Sequence, residues 1–74
     1  MIEKIKDLTV TIVGLGVIGA AFAESFSEIG IKTIYGIDID EETLKKAEEK
    51  NIINKGFIET KEPLEKSDFV VITL

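Results

Sequence analysis

The sequence predicts an α/β fold in which a parallel sheet is connected by crossover helices. Three observations carry that prediction. Short apolar, β-branched runs recur along the chain: LTVTIV, TIYGID and FVVITL. Segments of helical period separate them, and a glycine, asparagine or aspartate stands at nearly every junction. Strands alternating with helices imply parallel pairing, because a parallel neighbour is reached only through a crossover.

Leu8 to Val13 is read as the first strand: short, mostly apolar and ended by Gly14, as in sheets buried on both faces. The period then changes. From Val17 to Ile29, the residues Ile18, Ala21, Phe22, Ser25, Phe26 and Ile29 recur at i, i+3, i+4 spacing, the expected core face of a first helix. Gly30 is its expected stop, in the left-handed conformation. Thr33 to Asp38 is the second strand. Asp40 is the expected N-cap of a second helix, about Glu41 to Lys50, with Glu41 and Glu42 where the helix dipole favours acids. Its apolar stripe is thin, essentially Leu44 and Ala47, and Asn51 takes the left-handed stop. Further on, Gly56 is expected as a turn, Phe57–Glu59 as a short strand and Pro63–Lys66 as a short helix with proline at its first position. Phe69 to Leu74 forms the last strand. No repeat or low-complexity segment interrupts this order.

The chain has 74 residues, enough for one small domain. A domain of this size buries only about 60% of its unfolded surface, and this one has no cysteine to staple it. Ending on a buried strand, it reads as the first part of a longer protein, truncated after the fourth strand. No signal peptide and no apolar run of membrane-spanning length is visible, so a cytoplasmic location is expected. Fourteen acids against nine lysines, with no arginine, leave a net charge of −5. That argues against nucleic acid or an anionic membrane as partner. It does not argue against an anionic ligand, because a helix N-terminus binds phosphate through backbone N–H groups. Histidine is absent, so the chain lacks the commonest acid–base residue; no catalytic residue and no metal site is assigned to it.

The junction after the first strand carries the chemistry. Gly14, Gly16 and Gly19 form GxGxxG between a strand and a helix, the setting of a dinucleotide-binding turn. Gly14 lets the chain turn sharply. A side chain at Gly16 would occupy the space a diphosphate needs. Gly19 lets the helix lie close to the strands. The amides near Val17 and Ile18 then face the phosphates, and Leu15, between the first two glycines, is counted in the same cofactor site. Asp38, nineteen residues beyond Gly19, ends the second strand, where a carboxylate accepts from the hydroxyls of the adenosine ribose. The other reading of Asp38 is a turn residue or a cap shared with Asp40. Asp40, Glu41 and Glu42 would repel a 2′-phosphate, which favours NAD over NADP, unless a lysine such as Lys45 reaches in. Ile39 either covers adenine or belongs to the core; Gly36 makes room for adenine or for packing. The whole is a partial Rossmann-type, doubly wound sheet of order 3-2-1-4, its crevice between strands 1 and 4. Thr73 and Leu74 either head toward the nicotinamide side or are plain strand residues.

With VTIVGLGVIGAAFAESF, IYGIDIDEETLKKAEEKNIINKG and SDFVVITL in view, the chain resembles the opening of the N-terminal NAD-binding domain of prephenate dehydrogenases. The likeness runs from about Leu8 to Leu74. Its more specific part is the Asp-Ile-Asp helix start followed by KAEEKNIINKG. Ala20 stands where that family often has another glycine. The resemblance implies oxidative decarboxylation of prephenate to 4-hydroxyphenylpyruvate in tyrosine biosynthesis. It implies NAD held by Gly14, Gly16, Gly19 and Asp38, with a catalytic histidine and a helical, dimer-forming domain beyond this segment. The full-length protein would be a homodimer. Rival readings are the cofactor half of a 3-hydroxyisobutyrate or 6-phosphogluconate-type dehydrogenase, or a non-catalytic nucleotide-sensing domain. A further alternative is an isolated segment that binds nothing because half its crevice is missing.

Overall fold

The structure, a computed structural model, describes residues 2–73. A 3₁₀ helix, Ile2–Asp7, leads into β1 (Thr9–Val13), α1 (Val17–Glu28), β2 (Thr33–Ile37), α2 (Glu41–Glu49), β3 (Lys55–Phe57), α3 (Lys61–Lys66) and β4 (Phe69–Ile72). All pairings are parallel and the order is β3-β2-β1-β4, as the sequence predicts. Leu74 lies outside the described residues.

Register decides which side chains share a face. Ile12 lies beside Gly36, and Gly36 beside Gly56. Added β-carbons at those glycines would meet Leu15 and Ile53, and Leu44. α1 and α2 therefore cover this face, and Val10, Ile12, Leu15, Ala23, Ile31, Ile34, Leu44, Ala47 and Ile53 form its core. The other face carries Thr11, whose buried hydroxyl reaches the Pro63 carbonyl and the Ser67 hydroxyl at the end of α3. Two helices on one face and the last crossover on the other place β4 beyond β1 instead of beyond β3.

Most local signals are realised. Asp40 caps α2 by accepting the Glu42 amide at 3.1 Å and the Thr43 hydroxyl at 3.0 Å. Gly14, Gly30 and Asn51 have φ of 92°, 106° and 60°. Leu44 and Ala47 are the buried residues of α2.

Four expectations are corrected. α1 buries Gly19 and Ala23 and half-buries Phe26, while Ile18, Phe22 and Ile29 of the expected core face are exposed. Small residues win this contact because they bring the helix axis close to the sheet. Gly56 lies within β3, not in a turn, and the strand sits two residues earlier than Phe57–Glu59; glycine is needed there to admit Leu44. Pro63 is the third residue of α3, which begins at Lys61; the first-turn amides of a helix have no internal partner, so proline costs nothing there either. The charged segment before β1 forms the 3₁₀ helix, for which no element was expected.

Candidate functional site

The carboxyl ends of β2, β1 and β4 lie in register, so the residues that follow them meet. Val13 pairs with Ile37 on one side and with Ile72 on the other. The next residues, Asp38, Gly14 and Thr73, therefore stand side by side. Backbone bonds extend the pairing one step: the Gly14 amide donates to Ile37 O at 2.8 Å, and the Thr73 amide donates to Val13 O at 2.9 Å.

At Gly14 the chain turns with a positive φ and passes beneath α1. A β-carbon on Gly14 would lie 2.6 Å from the Thr73 hydroxyl, and one on Gly19 would overlap the Gly14 carbonyl. Gly16 is different: a β-carbon there meets nothing within 4 Å. It is the N-cap of α1 in extended backbone, and no side chain among the described residues caps the helix or puts an acid in its first turn. The first amides of an α-helix lack internal acceptors and carry the positive end of its dipole. Gly14, Gly16, Val17, Ile18, Gly19 and Thr73 line an open hollow of about 370 Å³ above that turn. Val17 and Ile18 border it with exposed side chains. The hollow and the bare helix end suit a diphosphate, because a residue with a side chain at position 16 would fill the approach.

Leu15 plays a more structural part. Its side chain is 4% exposed and packs over Gly36, which settles the reason for that glycine in favour of packing. Its amide is already committed, donating to Asp38 Oδ2 at 2.9 Å. Asp38 Oδ1 accepts the Asp40 amide at 3.0 Å. These bonds, Asp40's first and Leu15's second, hold the Asp38 carboxyl below its ordinary value against the opposing effect of burial. Each carboxylate oxygen retains a further lone pair, so Asp38, a turn residue in this structure, keeps acceptor capacity toward the crevice. Ile39 beside it is 95% exposed and not part of the core.

A larger hollow of about 490 Å³ lies at the opposite ends of the strands, near Ser27, Lys32, Glu48, Asn51 and Asn54. It brings together none of the predicted site residues. Among the described residues no cluster of metal-ligating side chains occurs, and no helix is long and apolar enough to cross a membrane. The hydroxyl of Thr73 is the feature that sequence reasoning left undistinguished. It donates to the Gly14 carbonyl at 2.8 Å, with the Val13 carbonyl at 3.2 Å. The strand order contained the signal, since it places the residue after β4 beside the first glycine.

Comparison with solved structures finds prephenate dehydrogenase from A. aeolicus, determined in complex with hydroxyphenyl propionate and NAD+. Identity is 37% and the TM-score 0.79, over 88% of this chain and 23% of that one. The chain thus spans about a quarter of the length of that enzyme, and no curated protein matches it. The dehydrogenase resemblance is borne out, and NAD is the cofactor it brings. The family described as "D-isomer specific 2-hydroxyacid dehydrogenase, NAD binding domain" matches residues 1–74, the full length of the sequence. By that match and by the sheet, turn and strand-end acid described above, the chain belongs to this family of dehydrogenase NAD-binding domains.

Proposed function

We propose that the chain is the cofactor-holding part of an oxidoreductase acting on prephenate, converting it to 4-hydroxyphenylpyruvate with loss of carbon dioxide. The observation that carries this reading is the 37% identity to a prephenate dehydrogenase, sustained over most of the chain on the same fold. NAD, when bound, accepts the hydride. The residues here bind and orient it. Amides of Gly16, Val17, Ile18 and Gly19 face the diphosphate, Gly14 and Leu15 shape the turn, and Gly16 leaves the approach open. Asp38 accepts from the adenosine ribose and Ile39 covers one face of adenine. Asp38, Asp40, Glu41 and Glu42 disfavour a 2′-phosphate, so NAD is preferred to NADP. The proton chemistry, the substrate pocket and a homodimer contact belong to other parts of the full-length protein, in keeping with the absence of histidine here. A cytoplasmic enzyme of tyrosine biosynthesis is the corresponding setting.

The family match favours a second reading, oxidation of a D-2-hydroxy acid at its carbinol carbon with hydride passed to NAD. NADH formation by the full-length protein separates the two. Prephenate should give NADH with equimolar carbon dioxide. NADH from D-2-hydroxy acids and none from prephenate would replace the first reading with the second.

A further inference from the structure

The Gly14 carbonyl and the Leu15 amide are the two ends of one peptide group. The amide end is held by Asp38 from the end of β2, at 2.9 Å. The carbonyl end is held by the Thr73 hydroxyl from the end of β4, at 2.8 Å. Gly19 of α1 lies against the same carbonyl. Two side chains from strands on opposite sides of β1 therefore grip one peptide in the glycine-rich turn. A peptide free to rotate at this position would carry the Gly16 approach and the following amides with it.

We propose that Thr73 is a positioning residue for the cofactor: with Asp38 it fixes the Gly14–Leu15 peptide and so presets the turn that receives the diphosphate. This role rests on the NAD-binding reading above. Because a hydroxyl has a single proton, the shorter bond to Gly14 is its principal one. Valine at position 73 keeps the shape and loses the bond; serine keeps the bond.

The test uses the full-length protein as wild type, Thr73→Val, Thr73→Ser and Gly16→Val. Amide hydrogen exchange without ligand reads the clamp directly. In Thr73→Val the Leu15 amide should exchange about 3- to 10-fold faster, the loss of one ordinary hydrogen bond, with Ile12 and Ile34 unchanged. General destabilisation would accelerate all three together. Thr73→Ser should exchange as wild type does. Calorimetric titration with NAD at a temperature where every variant is folded should show about 3- to 10-fold weaker binding for Thr73→Val. Thr73→Ser should bind within about twofold of wild type. Unchanged Leu15 exchange in Thr73→Val overturns the clamp, and faster exchange with unaltered NAD affinity overturns its role for the cofactor. Failure of the underlying reading looks different: wild type does not bind NAD, or Gly16→Val binds as tightly as wild type.

Discussion

Gly19 lies directly against the carbonyl of Gly14, so close that a methyl group on Gly19 would overlap the oxygen. The third glycine thus serves the seating of α1 on the end of β1, whereas the first serves the turn itself, where φ is 92° and a β-carbon would meet Thr73. The middle glycine, Gly16, has open space around its α-carbon. The three positions therefore separate into a turn, a vacancy and a helix seat, and they should respond differently to substitution.

Gly19→Ala should destabilise the full-length protein by about 1–3 kcal/mol, the usual cost of an overfilled contact. The obstructing atom is backbone and cannot swing aside, so α1 must lift and NAD should bind less tightly. Urea denaturation and NAD titration measure the two effects. A Gly19→Ala protein with wild-type stability would show that the helix is not seated by this contact.

Gly16→Val should cost about 1 kcal/mol of stability, since the residue has negative φ and open space around it but valine is a poorer N-cap than glycine. NAD binding should fall below calorimetric detection, because the new side chain occupies the phosphate approach. Unimpaired binding would move the diphosphate to another part of the surface.

Asp38→Ala should weaken NAD binding by about 1.5–3 kcal/mol, the range for hydrogen bonds to a charged acceptor. NADP, which gains from the removal of a like charge, should lose less. Parallel titrations of the two cofactors provide the check, and a variant that binds NAD as tightly as wild type would remove Asp38 from the ribose site.

The acid behaviour of Asp38 has a definite sign. Its carboxyl is depressed below the ordinary 3.8 chiefly by the Asp40 amide and then by that of Leu15. A depressed folded value means that the stabilisation is complete above about pH 5, where the unfolded aspartate is almost fully ionised, and is lost as pH falls through the folded value. The stability gap between wild type and Asp38→Asn should be constant above about pH 5 and narrow below about pH 4. Denaturation midpoints across that range test this, and a gap that widens in acid would reverse the assignment.

Much of this structure was legible in the sequence because the governing signals are local. Asp40 before two glutamates announces a cap, and Gly14, Gly30 and Asn51 mark left-handed turns through their tolerance of positive φ. Alternation of strand and helix, with the glycine turn and a strand-end acid, sufficed for the order of the sheet. The failures come from choices between faces. α1 offers both a bulky apolar stripe and a small-residue seam, and periodicity weights bulk, whereas the sheet accepts the seam through Gly19 and Ala23. Gly56 resembles a turn residue until Leu44 is known to lie over it. At the site, the glycines and Asp38 were visible by type and spacing. The bonds from Asp38 to Leu15 and from Thr73 to Gly14 were not, because they join residues 23 and 59 apart in the chain.

The small-residue seam of α1 has a consequence for how this domain tolerates change. The helix that rests on Gly19 and Ala23 is the one whose leading end borders the open hollow at the turn, so its height above the sheet also sets the height of that hollow. Enlarging a residue buried beneath it works like a shim under a lever, displacing the tip most. Enlarged residues along this seam should therefore register in cofactor affinity as well as in stability.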